Sequence, residues 1–123
     1  MNTYGALKPK IDKRDYTIAA AAIELPKVYT CPHVPAVKNQ GGVCSCVAHA
    51  TSSILESFYE KEHGEKKTLS TDFIYGMKGV EFGRLEGGMY LRDACKIVKK
   101  YGDPSRETIK GNTEQPECTE KLK

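Results

Sequence analysis

The chain has 123 residues, a formal net charge of +3 and no tryptophan. That length allows one modest core, and 39% hydrophobic with 28% charged residues is the balance of an ordinary globular chain. Basic residues are interspersed with acids, which argues against nucleic acid as a partner; no run approaches the roughly 18 apolar residues of a membrane span; and residues 1–15 lack the apolar stretch of a signal peptide.

The five cysteines, Cys31, Cys44, Cys46, Cys95 and Cys118, are odd in number and cannot all pair. With no secretion signal in view, reduced thiols and a cytoplasmic location are expected, in a bacterium or in a host cell if the chain is viral. Cys31 and His33 with Cys44, Cys46 and His49 do not have a standard structural-zinc spacing, so neither a metal nor another cofactor is expected.

Residues 1–27 read as an extended arm packed on the surface, with helix breakers at Pro9 and Pro26 and a short helical possibility at Ala19 to Ala22. Three prolines, Pro26, Pro32 and Pro35, keep residues 25–37 extended, with one short strand expected around Val28 and Tyr29. Gly41 and Gly42 then permit a tight turn and a close backbone approach.

A long helix follows. Ser45 is suited to the N-cap. Val47, Ala50, Ile54 and Phe58 recur at helical spacing and are expected to form its core-facing stripe, and Gly64 suits its C-terminal end. Ser70 caps a second helix through Phe73, Ile74, Met77 and Val80. After a loop ending in Gly87 and Gly88, a third runs through Tyr90, Leu91, Ala94, Cys95, Ile97 and Val98 to Gly102. Cys95 is expected in the core, His49 as a packing residue on the first helix, and Cys118 as an exposed thiol in a polar tail.

The chemistry concentrates in residues 37–60. A thiol is nucleophilic only as the thiolate, and a helix N-terminus favours an anion. Cys46 falls in the first turn, and Gln40 on the glycine loop is an amide donor able to face an oxyanion, with the Cys46 backbone N–H as a second donor.

Val37-Lys38-Asn39-Gln40-Gly41, followed by Ser45-Cys46 and Ala48, resembles the active-site segment of papain-like cysteine peptidases, family C1. Leu25-Pro26-Lys27-Val28 is similar to the start of that family's mature domain, and Leu69-Ser70 with Phe73 to the entry of its second helix. Glu86-Gly87-Gly88-Met89 with a helix ending Lys100-Tyr101-Gly102 is similar to its substrate loop and third helix, and Asp12-Lys13-Arg14-Asp15-Tyr16 to N-terminal segments of bacterial members. The resemblance implies Cys46 as nucleophile, Gln40 as oxyanion-hole donor, Gly87 and Gly88 as backbone partners of a substrate strand, and Met89 as lining of the side-chain pocket.

The chain departs from the family pattern with Val47 at a usually aromatic position, Val43 where secreted members carry a disulfide cysteine, and Cys44 in place of a glycine. The family's catalytic histidine and asparagine lie roughly 130–150 residues beyond the cysteine, past Lys123.

The expected fold is therefore mainly α: the helical lobe of the papain-like fold, without its second, β-rich lobe. An N-terminal arm (1–24), a half-domain (25–102) and a C-terminal tail (103–123) are expected. The resemblance implies a half-domain that holds the nucleophile and oxyanion side of a peptidase site and is inactive alone. The other reading is a stand-alone binding protein on a degenerate scaffold, such as a phage or mobile-element inhibitor of a host protein or ribonucleoprotein. Either implies a peptide or protein partner, or a homodimer through the face left open.

Overall fold

Three helices pack pairwise in a computed structural model that describes residues 5–15, 24–83 and 87–109. They are α1 (Cys46–His63), α2 (Thr71–Phe82) and α3 (Leu91–Tyr101). Among the described residues there is no named strand, only two isolated bridges, Ala6 with Met89 and Leu69 with Ser105. The fold is mainly α. The helical possibility at Ala19 to Ala22 and the thiol of Cys118 lie outside the described residues.

The boundaries follow the stop signals in the sequence. Gly64 and Gly83 take left-handed φ of 72° and 66°, and their N–H groups close the last turns onto Glu60 and Gly79. Ser70 caps α2, its hydroxyl accepting from the Phe73 N–H at 3.2 Å. Ser45 occupies the N-cap of α1 without a side-chain cap bond.

The core is small: Val43, Val47, Ala48, Ile74, Tyr75, Met89, Ala94 and Ile97 are buried, with Phe73, Met77, Phe82, Val98 and Cys46 packed at its rim. Full burial of a side chain such as Ile74 contributes about 1.5–3 kcal/mol.

Of the stripe expected to face this core only Val47 does. Ala50 is exposed, and Ile54 and Phe58 are 57% and 56% exposed. The buried side of α1 carries Val47, Ala48, His49, Ser52 and Glu56 instead. The reason is polar. The Glu56 carboxylate accepts the Leu69 N–H at 2.7 Å and pairs with the Lys38 ammonium, which also donates to Ser52 at 3.1 Å. These bonds hold the polar side of α1 inward, and Ala50, Ile54 and Phe58 face outward.

Two other expectations are corrected. Cys95 is exposed, because Ala94 and Ile97 set the inward side of α3 and Cys95 stands one residue, about 100°, away from it. Val28 and Tyr29 form no strand; they are 84% and 74% exposed and pair with nothing in a ladder. The extended segment is held to α1 further on, where the Ser57 hydroxyl donates to the His33 carbonyl at 2.7 Å. Residues 103–109 turn back along the start of α2: Ser70 N–H donates to Pro104 O and Arg106 N–H to Thr68 O.

Candidate functional site

The loop before α1 is stapled by its own side chains. Asn39 Oδ1 accepts the Gly41 N–H at 2.9 Å, and Gly41 adopts a φ of 58° that a Cβ would strain. The Gln40 amide donates to the Val43 carbonyl at 2.8 Å, and Ser45 N–H to the same carbonyl at 2.8 Å. Below the loop, Lys38 is sunk into the pair with Glu56. This delivers Cys46 to the first position of α1, half-buried, with a free thiol. One N–H of the Gln40 amide is thus spent on the loop.

His49 is buried one turn into α1. Its Nδ1 lies 3.0 Å from the Ser45 carbonyl and 3.2 Å from the Ser45 hydroxyl, while Nε2 is buried with no partner. With the proton on Nδ1 donated to the carbonyl, Nε2 is left as a bare lone pair, less costly to bury than an unsatisfied N–H.

Facing the loop is the backbone of residues 87–89. Gly87 takes a φ of 75°, and its carbonyl accepts the Tyr75 hydroxyl at 3.0 Å and the Lys78 ammonium at 2.5 Å. Lys78 is itself buried, its ammonium 3.8 Å from the centre of the Tyr75 ring. The Gly87 carbonyl is thus turned inward. Gly88 and Met89 present the outward edge, and the Met89 side chain is 1% exposed within the core beneath it.

That edge is taken. Met89 N–H donates to Gly5 O at 2.6 Å and Leu7 N–H to Met89 O at 3.1 Å, so residues 5–7 run parallel to it. A Cβ on Gly5 would stand 2.2 Å from the Cys44 carbonyl oxygen, and one on Gly88 would stand 2.1 Å from the Gly5 carbonyl oxygen. The cysteine loop and the 88–89 edge therefore sit one backbone apart. The structure brings the Cys44 carbonyl and the Gly88–Met89 edge to the two sides of residues 5–7, while the Cys46 side chain packs at the rim of the core.

Beside the cleft's supports lies a second polar group. Both carboxyl oxygens of Asp103 are buried without a hydrogen-bond partner among the described residues. Burial pushes this carboxyl up to about 7; the Ser52 hydroxyl and Lys38 ammonium offset part of the rise, and Glu56 adds to it. Cys31 and His33, by contrast, pack at Ser57 and Glu60, well along α1 from Cys46. Among the described residues no three His, Cys, Asp or Glu side chains gather as metal ligands.

Sequence reasoning missed Gly5, Asp103 and Arg92, which binds the arm to α3. The charged cluster at residues 12–15 was a visible signal, but nothing in it names Arg92 as its partner. For Asp103 there was no signal.

No protein-family model matches this sequence, and neither does any curated protein. No helix among the described residues is long and apolar enough to cross a membrane.

Proposed function

We propose that residues 1–123 are the nucleophile half of a papain-like cysteine peptidase: Cys46 the nucleophile, Gln40 the oxyanion donor, and Gly88 with Met89 the peptide-binding edge. The observation that carries this reading is the facing of Cys44, two residues before Cys46, and residues 88–89 across the width of one peptide backbone. A thiol at a helix start, an amide beside it and an edge that already holds an extended strand are the parts of an acyl-transfer half-site. The three helices fit the helical lobe of that fold.

The histidine and asparagine of such a site lie outside residues 1–123. Hydrolysis therefore requires a lobe supplied from elsewhere, and without the base acyl transfer loses roughly 10²–10⁴-fold. The half-domain acts on a peptide or protein, needs no cofactor and belongs to the cytoplasm.

The test is site-resolved alkylation with iodoacetamide at pH 7, read by mass spectrometry, beside a fluorogenic peptide assay. Cys46 is expected to react faster than the exposed Cys31 and Cys95, with no turnover. Labelling of Cys46 slower than both would overturn the nucleophile assignment.

The outward stripe of Ala50, Ile54 and Phe58 favours a second reading, a binding scaffold that meets a protein partner or its own copy through this face. A phage or mobile-element inhibitor of a host protein would use such a surface. Light scattering on the parent and on an Ile54→Asp, Phe58→Asp variant decides the homodimer case: a parent that is monomeric at high micromolar concentration excludes it.

A further inference from the structure

We infer that the cleft between the Cys44 carbonyl and Gly88 is a binding slot for an extended peptide with glycine at its centre, filled in this chain by its own residues 5–7. The inference deepens the reading above by naming the peptide class. It rests on that reading only for what the bound strand would meet at Cys46.

The slot is defined by backbone on both walls. Gly5 does not need to be glycine for its φ, since it is not among the residues of positive φ. It needs to be glycine for space: its Cβ would meet the Cys44 carbonyl oxygen at 2.2 Å and the carbonyl carbon at 2.5 Å. Both are backbone atoms of a loop stapled by Asn39 and Gln40, so they do not swing aside as a side-chain end would. On the other wall Gly88 meets the same residue, its own Cβ position being 2.1 Å from the Gly5 carbonyl oxygen. Both glycines are buried.

Recognition beyond the slot is by main chain. The Met89 N–H and C=O are both used, one on each side of Ala6, in the pattern of a strand added to an edge. Ala6 points out and is exposed, whereas Leu7 is half-buried. The edge therefore reads glycine strictly, ignores the next residue and favours an apolar one after it. A peptide of the form Gly-Xaa-Leu, running parallel to residues 88–89, is the ligand.

The cis occupant is held lightly enough to exchange. Among the described residues its pairing consists of one bridge and two hydrogen bonds. Its second anchor is an ion-pair group: Arg92 Nη2 to Asp15 Oδ1 at 2.5 Å, Arg92 Nη1 to Asp12 Oδ2 at 3.8 Å, and Arg14 Nη2 to Asp12 Oδ2 at 2.7 Å. Arg14 and Asp15 are exposed and Arg92 is partly so, and salt screens this anchor. Between arm and helix remains a cavity of about 240 Å³, lined by Pro9, Ile11, Arg14, Tyr90, Arg92 and Lys96. A strand tethered in the same chain competes at an effective concentration of up to about millimolar, so a free peptide does not enter the parent chain easily.

The experiment uses the full-length, 15N-labelled chain and two variants that release the arm by different means. Gly5→Ala closes the slot to the cis strand; Leu7→Pro removes the Leu7 N–H without touching the slot. The probe is the synthetic peptide of residues 2–10, with a control peptide carrying alanine at the glycine. In either variant the Met89 amide is expected to exchange at least about tenfold faster than in the parent, while α1 to α3 keep their protection. Adding the probe restores Met89 protection and shifts Gly88 and Met89 saturably; the alanine control does neither.

Should one variant fail to fold, the other carries the test. Three results each overturn the inference: unchanged Met89 exchange in the folded variants, no binding of the probe to a released variant, or equal binding of the alanine control. Repeating the titration with Cys46→Ala keeps the two readings apart, because the slot binds peptide whether or not that thiol reacts.

Discussion

Replacing Asp103 with asparagine should stabilise the protein more at pH 8 than at pH 4.5. In the folded chain the half-buried Asp103 has no hydrogen-bond partner for either carboxyl oxygen among the described residues, and the Lys38 ammonium is already engaged by Glu56. Burial raises the carboxyl from 3.8 to about 7. Between these values the folded state holds a proton that the unfolded state has released, so the unfolded state binds fewer protons and stability falls as pH rises from about 4 to about 7. At one unit per 1.36 kcal/mol the full shift corresponds to about 4 kcal/mol; partial solvent access to Asp103 reduces this to on the order of 1–2 kcal/mol. The assay is urea unfolding of parent and Asp103→Asn followed by circular dichroism at pH 4.5, 6 and 8. The stability difference between them should grow in favour of the variant by on the order of 1–2 kcal/mol across that range, with an unchanged denaturant slope. A difference that stays flat with pH would refute the reasoning, since Asp103 would then titrate alike in both states.

Lys38→Met should be among the most damaging single changes. It leaves the Glu56 carboxylate buried beside Ser52 without its counter-charge, a loss of about 3–5 kcal/mol, checked by the same urea titration. Ile54→Ser and Phe58→Ser should each shift stability by no more than about 0.5 kcal/mol, because both side chains face outward. Had the stripe faced the core, each would have lost about 2–5 kcal/mol, so one denaturation curve per variant separates the two orientations.

The three helices were legible because capping and stop signals are local. Ser70, Gly64, Gly83 and Gly102 mark ends that the chain obeys. Which face of α1 turns inward was not legible, and periodicity pointed the wrong way. The spacing of Val47, Ala50, Ile54 and Phe58 is a true amphipathic signal, but it reports apolarity, not burial. Glu56 and Ser52 are buried by partners drawn from elsewhere in the chain, Lys38 and the Leu69 N–H, which no helical window contains. Cys95 was misplaced for a related reason: one step along α3 moves a residue from the core to solvent, and the apolar run around it does not fix the phase. The site residues fared differently. Gln40 and Cys46 stand in short motifs that position themselves, so their loop and helix start could be drawn from sequence; the nearness of Cys44 to Gly88 could not, because it is made by the packing of α3 and by residues 5–7.

The buried polar seam and the cleft form one mechanical unit. Lys38 precedes the stapled loop directly, and its ammonium is fixed to Glu56 and Ser52 in the middle of α1. The height of that loop over α1, and with it the position of the Cys44 carbonyl, is set by this buried pair. The opposite wall is set from α2, where Tyr75 and Lys78 hold the Gly87 carbonyl inward and so turn the Gly88 and Met89 edge outward. A slot one backbone wide tolerates little error on either side. The pair that costs most to bury is thus placed where a displacement would be felt as a change of fit in the slot. Weakening Lys38 and Glu56 should therefore loosen strand binding as well as lower stability, which amide exchange at Met89 beside the urea titration of the same variant checks.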